Sequence, residues 1–112
     1  MLASNSPARA RRANDPTLLI LTSLAGGAKH GYALSQDIAS FAGVTLGPGT
    51  LYGAITRLEE SGLSVAEPEV ERRRPYRLTT EGAAALDAAV SEMSRLAAVS
   101  AQRLRGLSWG AA

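Results

Sequence analysis

The chain has 112 residues, 46% hydrophobic and 20% charged, with a net charge of +2, which fits one folded domain with a modest core. It contains no cysteine and only one histidine, His30, so disulfides and thiolate metal sites are excluded and most hydrolytic mechanisms are disfavoured. We expect no metal, no cofactor and no enzymatic activity. The sequence has no apolar run near the roughly 20 residues of a membrane helix and no recognisable signal sequence, which predicts a cytoplasmic protein without membrane contact.

The first fourteen residues have no apolar period and are rich in Ala, Ser and Arg, so we predict a flexible arm at 1–14. Eleven of the twelve basic residues in the chain are arginines, and most lie in two clusters, Arg9–Arg12 and Arg72–Arg77. Clustered arginine indicates phosphate contact, although solvated segments would show the same pattern.

Two helices are predicted between residues 15 and 43. Asp15 and Pro16 suit a helix cap and first turn, and the apolar segment after them ends at Gly26. The next helix stops at Gly43. Its apolar positions fall at i, i+4 and i+7 and comprise Leu34, Ile38 and Phe41.

A third helix is predicted to begin at Pro48, with Gly47 as its cap, and to stop at Gly62 in a left-handed conformation. Its apolar face repeats the same spacing at Leu51, Ile55 and Leu58. Short helices joined by a tight connection, with another helix before them, are typical of a helix-turn-helix.

A two-stranded hairpin is predicted after the third helix. Leu63 and Val65 alternate in the first strand, Tyr76 and Leu78 in the second, and the loop covers about residues 67–74. Pro75 is expected to confine the second strand to a sheet edge. A hairpin appended to a helix-turn-helix is a wing, so the predicted fold is mostly α, a winged helix-turn-helix over 15–80.

The last predicted helix covers 81–107, is capped by Thr79 or Thr80, and leaves a tail at 108–112. Its apolar positions keep a 4-3 spacing like a coiled-coil seam: Leu86, Val90, Met93, Ala97, Ser100, Leu104 and Leu107. A second copy is the natural cover for this seam, so we expect a dimerisation helix and a homodimer. The alternative is that the helix folds back on its own core, with Leu86 and Val90 the best suited to intramolecular contact.

The start of the third helix suits contact with DNA. In a helix-turn-helix, this end enters the major groove, and its free amide groups attract phosphate. Gly47 and Gly49 leave the end unobstructed, Thr50 and Tyr52 can reach bases or phosphates, and Arg57 suits a backbone contact. The alternatives are a simple Gly-Pro-Gly turn and a packing tyrosine.

Three segments carry a family resemblance: HGYAL at 30–34, GPGTLYGAITRLEESGL at 47–63 and RPYRLTTEG at 74–82. Together they resemble the signature blocks of the PadR family of transcriptional regulators, in its shorter form with one C-terminal helix. The resemblance implies a dimeric winged-helix repressor on a near-palindromic operator of double-stranded DNA. The positions that it implies for DNA contact are Tyr32, Pro48, Gly49, Thr50 and Tyr52 in the helix-turn-helix and Arg72, Arg73, Arg74 and Tyr76 in the wing.

The resemblance also suggests that Lys29 and His30 add phosphate contacts, with His30 better suited to capping or packing. Two features depart from the family pattern: Gly47 stands where a serine is common, and three glutamates, Glu67, Glu69 and Glu71, accompany the wing arginines and could pair with them.

Many PadR-like regulators release DNA on binding a small aromatic or hydrophobic effector near the dimer interface. Trp109 is the candidate residue for such binding here, the alternative being an idle ring at a frayed terminus. A different class of function also stays open, a winged-helix module that binds protein and no DNA.

Overall fold

The computed structural model describes residues 14–107, so the predictions for the N-terminal arginine cluster and for Trp109 lie outside the described residues. Seven elements follow one another along the chain: α1 (Pro16–Ala25), β1 (Lys29–His30), α2 (Gly31–Ala42), α3 (Pro48–Glu60), β2 (Ser64–Ala66), β3 (Pro75–Leu78) and α4 (Thr80–Arg105). No helix within this part of the chain is long and apolar enough to cross a lipid bilayer.

The predicted caps of α1, α2 and α3 are confirmed. The Asp15 carboxylate accepts a hydrogen bond from the Thr17 amide at 3.0 Å at the start of α1. Gly43 and Gly62 have φ of 68° and 76°, a left-handed conformation that suits glycine after a helix. Gly47 caps α3 without a side-chain hydrogen bond, as the departure from the family pattern predicts.

The hydrophobic core lies where α1 crosses α2 and α3. Leu18 to Leu21 and Leu24 are all buried, so most of the surface of α1 is covered, although Thr22 and Ala25 are exposed. Leu34 and Ile38 of α2 contribute to the same core, whereas Phe41 is 46% exposed. The core-facing side of α2 therefore continues from Ile38 to Ala42, which packs against the core, and leaves Phe41 outside it.

The wing belongs to a three-stranded antiparallel sheet in the order β1-β3-β2. The prediction that Pro75 confines its strand to an edge is wrong, because β1 pairs with the second side of β3 and makes it central. Pro75 is the first residue of β3, a position where a missing N–H is tolerated. The strand β1 has only two residues and was not predicted.

Helix α4 packs on the domain only through its first half. Thr79 is its cap, accepting a hydrogen bond from the Gly82 amide at 2.9 Å, and the helix ends at Arg105 rather than Leu107. Ala89 is buried and Leu86 packs against the core, whereas every residue of 94–107 is exposed. The alternative in which the helix packs on its own core therefore holds for the first half, including Leu86, whereas Val90 is exposed.

Candidate nucleic-acid interface

The start of α3 is open to solvent. Pro48, Gly49 and Thr50 are exposed, while Leu51 one residue later is buried in the core. The core residues thus fix the helix from behind, and the first turn presents its unsatisfied amide groups outward. The start of α3 is thus unobstructed, and its contact with DNA stays a prediction.

Tyr52 combines packing and exposure. Its side chain is 46% exposed, and its hydroxyl lies directly against Gly31 at the start of α2. A Cβ atom on Gly31 would overlap the Tyr52 hydroxyl, so glycine is required for this contact. Tyr52 can therefore pack against Gly31 and still have an exposed surface for contact with DNA.

Tyr32 stands beside this contact. It is 66% exposed, and its hydroxyl accepts a hydrogen bond from Gln36 Nε2 at 2.8 Å. Because Gln36 is one turn further along α2, the bond holds the phenol along the helix surface.

The wing tip is a tight turn with a strained backbone. Val70 and Arg73 exchange two backbone hydrogen bonds of 2.7 and 2.9 Å around Glu71 and Arg72. Both central residues have positive φ, 51° and 68°, although neither is glycine. A hairpin turn with this geometry normally uses Asn-Gly or Asp-Gly, so a larger side chain occupies each position at an energetic cost.

The wing arginines differ in their partners. Arg77 forms an ion pair with Glu67 at 2.5 Å, and Arg74 Nη1 donates to the Glu67 carbonyl at 2.9 Å. Within residues 14–107, no ion pair involves the three arginines of residues 72–74. The predicted pairing of glutamates with arginines is thus confirmed for Glu67 with Arg77, and the charge of the other three arginines is not neutralised in this way.

A polar cavity of about 230 Å³ lies between the wing and the start of α2, and we call it the arginine cavity. It is lined by residues from three separate parts of the sequence: His30, Gly31, Tyr32, Tyr52, Arg72, Arg73, Arg74 and Tyr76. None of these eight is acidic. The structure therefore brings six of the ten predicted DNA-contact residues together around one positively charged space, whereas Pro48, Gly49, Thr50 and Arg57 lie outside it.

Tyr76 has a different setting from the other predicted contacts. It lies in the central strand, is only partly exposed and packs against the core. The pKa of its phenol is raised, first because the group is partly buried and then by the Glu59 carboxylate, with Arg74 acting in the opposite direction. Tyr76 therefore remains a neutral hydroxyl at neutral pH, at the inner side of the arginine cavity.

Lys29 does not fit the suggested phosphate contact. It lies in β1, its ammonium donates to the carbonyls of Ser23 and Gly27, and Asp37 is 3.9 Å away. The Lys29 side chain is only 20% exposed, and its contacts with Ser23 and Asp37 connect α1 to α2. His30 caps α2 as expected, because its Nδ1 accepts from the Ala33 amide at 3.3 Å.

Arg57 lies further along the exposed side of α3, and its guanidinium folds back toward Gly53. It is outside the arginine cavity, at a distance from the helix start that suits a backbone contact rather than a base contact.

The predicted seam on α4 divides into two parts. Leu86 packs on the core and Met93 is half-buried, while the remaining positions are exposed: Val90, Ala97, Ser100, Leu104 and Leu107. Leu96 and Val99 are also exposed, at 68% and 40%, and were missed by the 4-3 spacing because they lie beside the seam. Residues 94–107 thus carry exposed apolar side chains on one helix, among them Leu96 and Val99.

Together, the helix-turn-helix with its exposed second helix and the arginine-bearing hairpin define a winged helix-turn-helix protein. The chain belongs to the PadR-like family of transcriptional regulators, whose family model matches residues 20–88. This membership confirms the resemblance and the expectation that the chain is a regulator rather than an enzyme.

Similar proteins agree with this assignment. The chain is 44% identical over 85 residues to an uncharacterized 37.1 kDa protein in transposon Tn4556 of Streptomyces fradiae, covering 76% of this chain and 25% of that protein. It is 43% identical over 72 residues to transcriptional regulator Rv3488 of Mycobacterium tuberculosis, covering 62% and 66%. A crystal structure of a PadR family transcription regulator from Clostridium difficile R20291 superposes with a TM-score of 0.71 at 26% identity, covering 80% and 97%. The chain therefore spans less than two thirds of the length of both sequence relatives.

Proposed function

We propose that the chain is a DNA-binding transcriptional repressor that acts as a homodimer on a near-palindromic operator. The observation that carries the proposal is the exposed start of α3 beside the arginine cavity, which presents helix amide groups and unneutralised arginines on one surface. Helix ends and arginines are the groups that proteins use on the DNA backbone, so this surface is suited to a duplex.

In this proposal α3 lies in the major groove. Thr50 offers a hydroxyl and a methyl group to base edges, and Tyr52 offers its hydroxyl beside Gly31. The wing extends the contact along the backbone through Arg72, Arg73 and Arg74. Arg57 contacts a phosphate further along the groove.

The second copy in this proposal covers the exposed face of α4. Val90, Met93 and Leu104 lie at the centre of the seam, and Ala97 and Ser100 allow the helices to approach closely. Two copies related by a two-fold axis would present two α3 helices to half-sites about one helical turn apart, which requires a near-palindromic operator.

An effector that releases DNA would act at this interface. A small hydrophobic or aromatic compound would occupy the space beside the small side chains of the seam and change the separation of the two α3 helices. Such a compound would raise the melting temperature of the free protein and lower its affinity for DNA, because it favours one of two dimer arrangements.

The first experiment is a salt series of binding to the DNA directly upstream of the protein's own gene, with random DNA as competitor. Counterion release predicts that affinity falls steeply as salt rises. Binding that resists the competitor supports a self-regulating repressor. Binding that is insensitive to salt, together with affinity for a protein, would instead favour a protein-binding module.

The second experiment uses Thr50→Ala and Tyr52→Ala. Each removes a side chain from the exposed start of α3 and leaves the buried face intact, so specific binding should fall about tenfold or more with the fold retained. Thr56→Ala is a control on the exposed side of α3 further from the start. Unchanged operator affinity in both test variants would show that the start of α3 does not contact the operator.

A further inference from the structure

We propose that Thr79 is a positioning residue that fixes the angle between α3 and α4 and thereby selects the spacing of the two half-sites on the operator. The inference deepens the proposed function, because it rests on a homodimer that holds two α3 helices against one duplex. Thr79 is not one of the predicted DNA contacts, and it acts through the position that it gives to α3.

The Thr79 hydroxyl joins the end of α3 to the start of α4. It donates a hydrogen bond to the Gly62 carbonyl at 2.7 Å and accepts one from the Gly82 amide at 2.9 Å. A hydroxyl has one hydrogen to donate and lone pairs with which to accept, so both bonds form at once. Gly62 directly follows the cap of α3, and Gly82 lies in the first turn of α4. One side chain therefore connects the two helices.

The backbone adds further contacts at the same place. The Thr79 amide donates to the Leu63 carbonyl at 3.1 Å, and a Cβ atom on Gly82 would overlap that same carbonyl oxygen. Leu63 is buried, and its own amide donates to the Leu58 carbonyl of α3 at 2.9 Å. We call the contacts of Thr79 and Gly82 with Gly62 and Leu63 the α3–α4 joint.

Further along α4, apolar side chains hold the helix on the domain. Ala85 and Leu86 pack against the core, and Ala89 is buried. Apolar packing is non-directional, whereas a hydrogen bond weakens steeply when its angle changes. We therefore assign the angle of α4 to the α3–α4 joint and its attachment to the domain to the apolar contacts.

The length of α4 makes this angle important. The helix has 26 residues and spans about 39 Å, and residues 94–107 are all exposed. A change of about 5° at the joint would move the far end by about 3.4 Å, which is the rise of one base pair. Because the proposed second copy covers this part of α4, the same change would shift the two α3 helices relative to each other by a similar distance. One fixed half-site spacing therefore requires a joint that keeps its angle.

The first test measures the joint in the absence of DNA. The chain contains no cysteine, so spin labels can be attached through Thr56→Cys on α3 and Ala98→Cys on α4, both at exposed positions. Labelled protein diluted in an excess of unlabelled protein gives the distance within one chain by pulsed electron paramagnetic resonance. We expect one narrow distribution of distances when Thr79 is present, because the joint holds α3 and α4 at one angle.

Thr79→Val removes the hydroxyl and keeps the shape of the side chain, so the distribution should widen about twofold or more. Thr79→Ser restores the hydroxyl and should return the narrow distribution. Asp15→Ala is the control, because it removes the side-chain cap of α1, away from the joint, and should leave the width unchanged. Circular dichroism reports that each variant is folded. An equally narrow distribution in Thr79→Val would overturn the inference.

The second test uses a library of random-sequence duplexes, from which each protein selects its binding sites. The wild-type chain, Thr79→Ser and Asp15→Ala should enrich paired half-sites at one spacing. Thr79→Val should enrich the same half-site sequence at more than one spacing, because the surface of α3 is unchanged. A single spacing in Thr79→Val would overturn the inference and leave the proposed function. If the wild-type chain enriches no paired half-sites, the proposed function fails, and the spacing role of Thr79 fails with it.

Discussion

Two glycines, Gly31 and Gly82, are needed for close contacts, and they differ in what they contact. At Gly31 the neighbour is the end of the Tyr52 side chain, which is half exposed and free to rotate. At Gly82 the neighbour is the backbone carbonyl of Leu63, which is fixed between α3 and β2. Alanine at Gly31 should therefore lower DNA affinity and change stability little, whereas alanine at Gly82 should lower stability.

Gly31→Ala should displace the Tyr52 ring while changing the free energy of unfolding by less than about 1 kcal/mol, because alanine also favours the helix start. DNA affinity should fall as much as in Tyr52→Ala, and the double variant should show no further loss. Thermal unfolding and a binding titration measure the two effects. Additive losses in the double variant would contradict the assigned contact.

Gly82→Ala should destabilise the fold by about 3 kcal/mol, since the backbone of α4 must move away from Leu63. Gly106→Ala is the control, because a Cβ there meets only ordinary van der Waals contacts. Denaturant unfolding of both variants gives the comparison. Equal stability of the two would show that the first turn of α4 is not packed as described.

At the scale of elements, the wing tip has a strained backbone beside the arginine cavity. Glu71 and Arg72 occupy left-handed positions where glycine or asparagine would cost less. Strained residues of this kind persist where their side chains serve a function. The arginine is thus expected to be retained for phosphate contact and not for stability.

Arg72→Gly should stabilise the protein by about 1 kcal/mol, which raises the melting temperature by about 4 °C, and should weaken DNA binding with a smaller salt slope. Glu71→Asn is the matched variant: it relieves similar strain and keeps the arginine. It should gain stability without losing DNA affinity. If Arg72→Gly leaves the salt dependence of DNA affinity unchanged, Arg72 does not contact a phosphate.

At the scale of the whole molecule, α4 extends well beyond the domain that it caps. Its 26 residues span about 39 Å, and the longest dimension of the molecule is 62 Å. This extension, residues 94–107, carries exposed apolar side chains. An exposed apolar helix surface of this kind is suited to a second copy of the chain.

Met93→Asp should weaken the proposed dimer at least tenfold, because it places a charge at the centre of the seam where the first half of α4 meets the extension. Ala98→Asp introduces the same charge on a different, exposed face of α4 and should leave the dimer intact. Sedimentation velocity over a range of protein concentrations separates the two. Dimers of equal strength in both variants would refute the seam.

The sequence by itself determined the helices, their caps and the hairpin. Apolar spacing of four and three residues and the glycines at 43 and 62 are local signals, because helix burial and helix termination depend on neighbouring residues. The signature segments also identified the family and the exposed start of α3. These features could be predicted because each depends on a short stretch of chain.

Only the tertiary structure decided which distant residues meet. The strand β1 is too short to show a period, yet its pairing makes β3 central and brings His30 to the wing. The hydrogen bonds of Lys29 to backbone carbonyls, the exposure of Phe41 and the Tyr52–Gly31 contact likewise depend on how the elements pack. Residues 30–32, 52, 72–74 and 76 form one cavity because long-range packing, which no local pattern encodes, sets the distances between them.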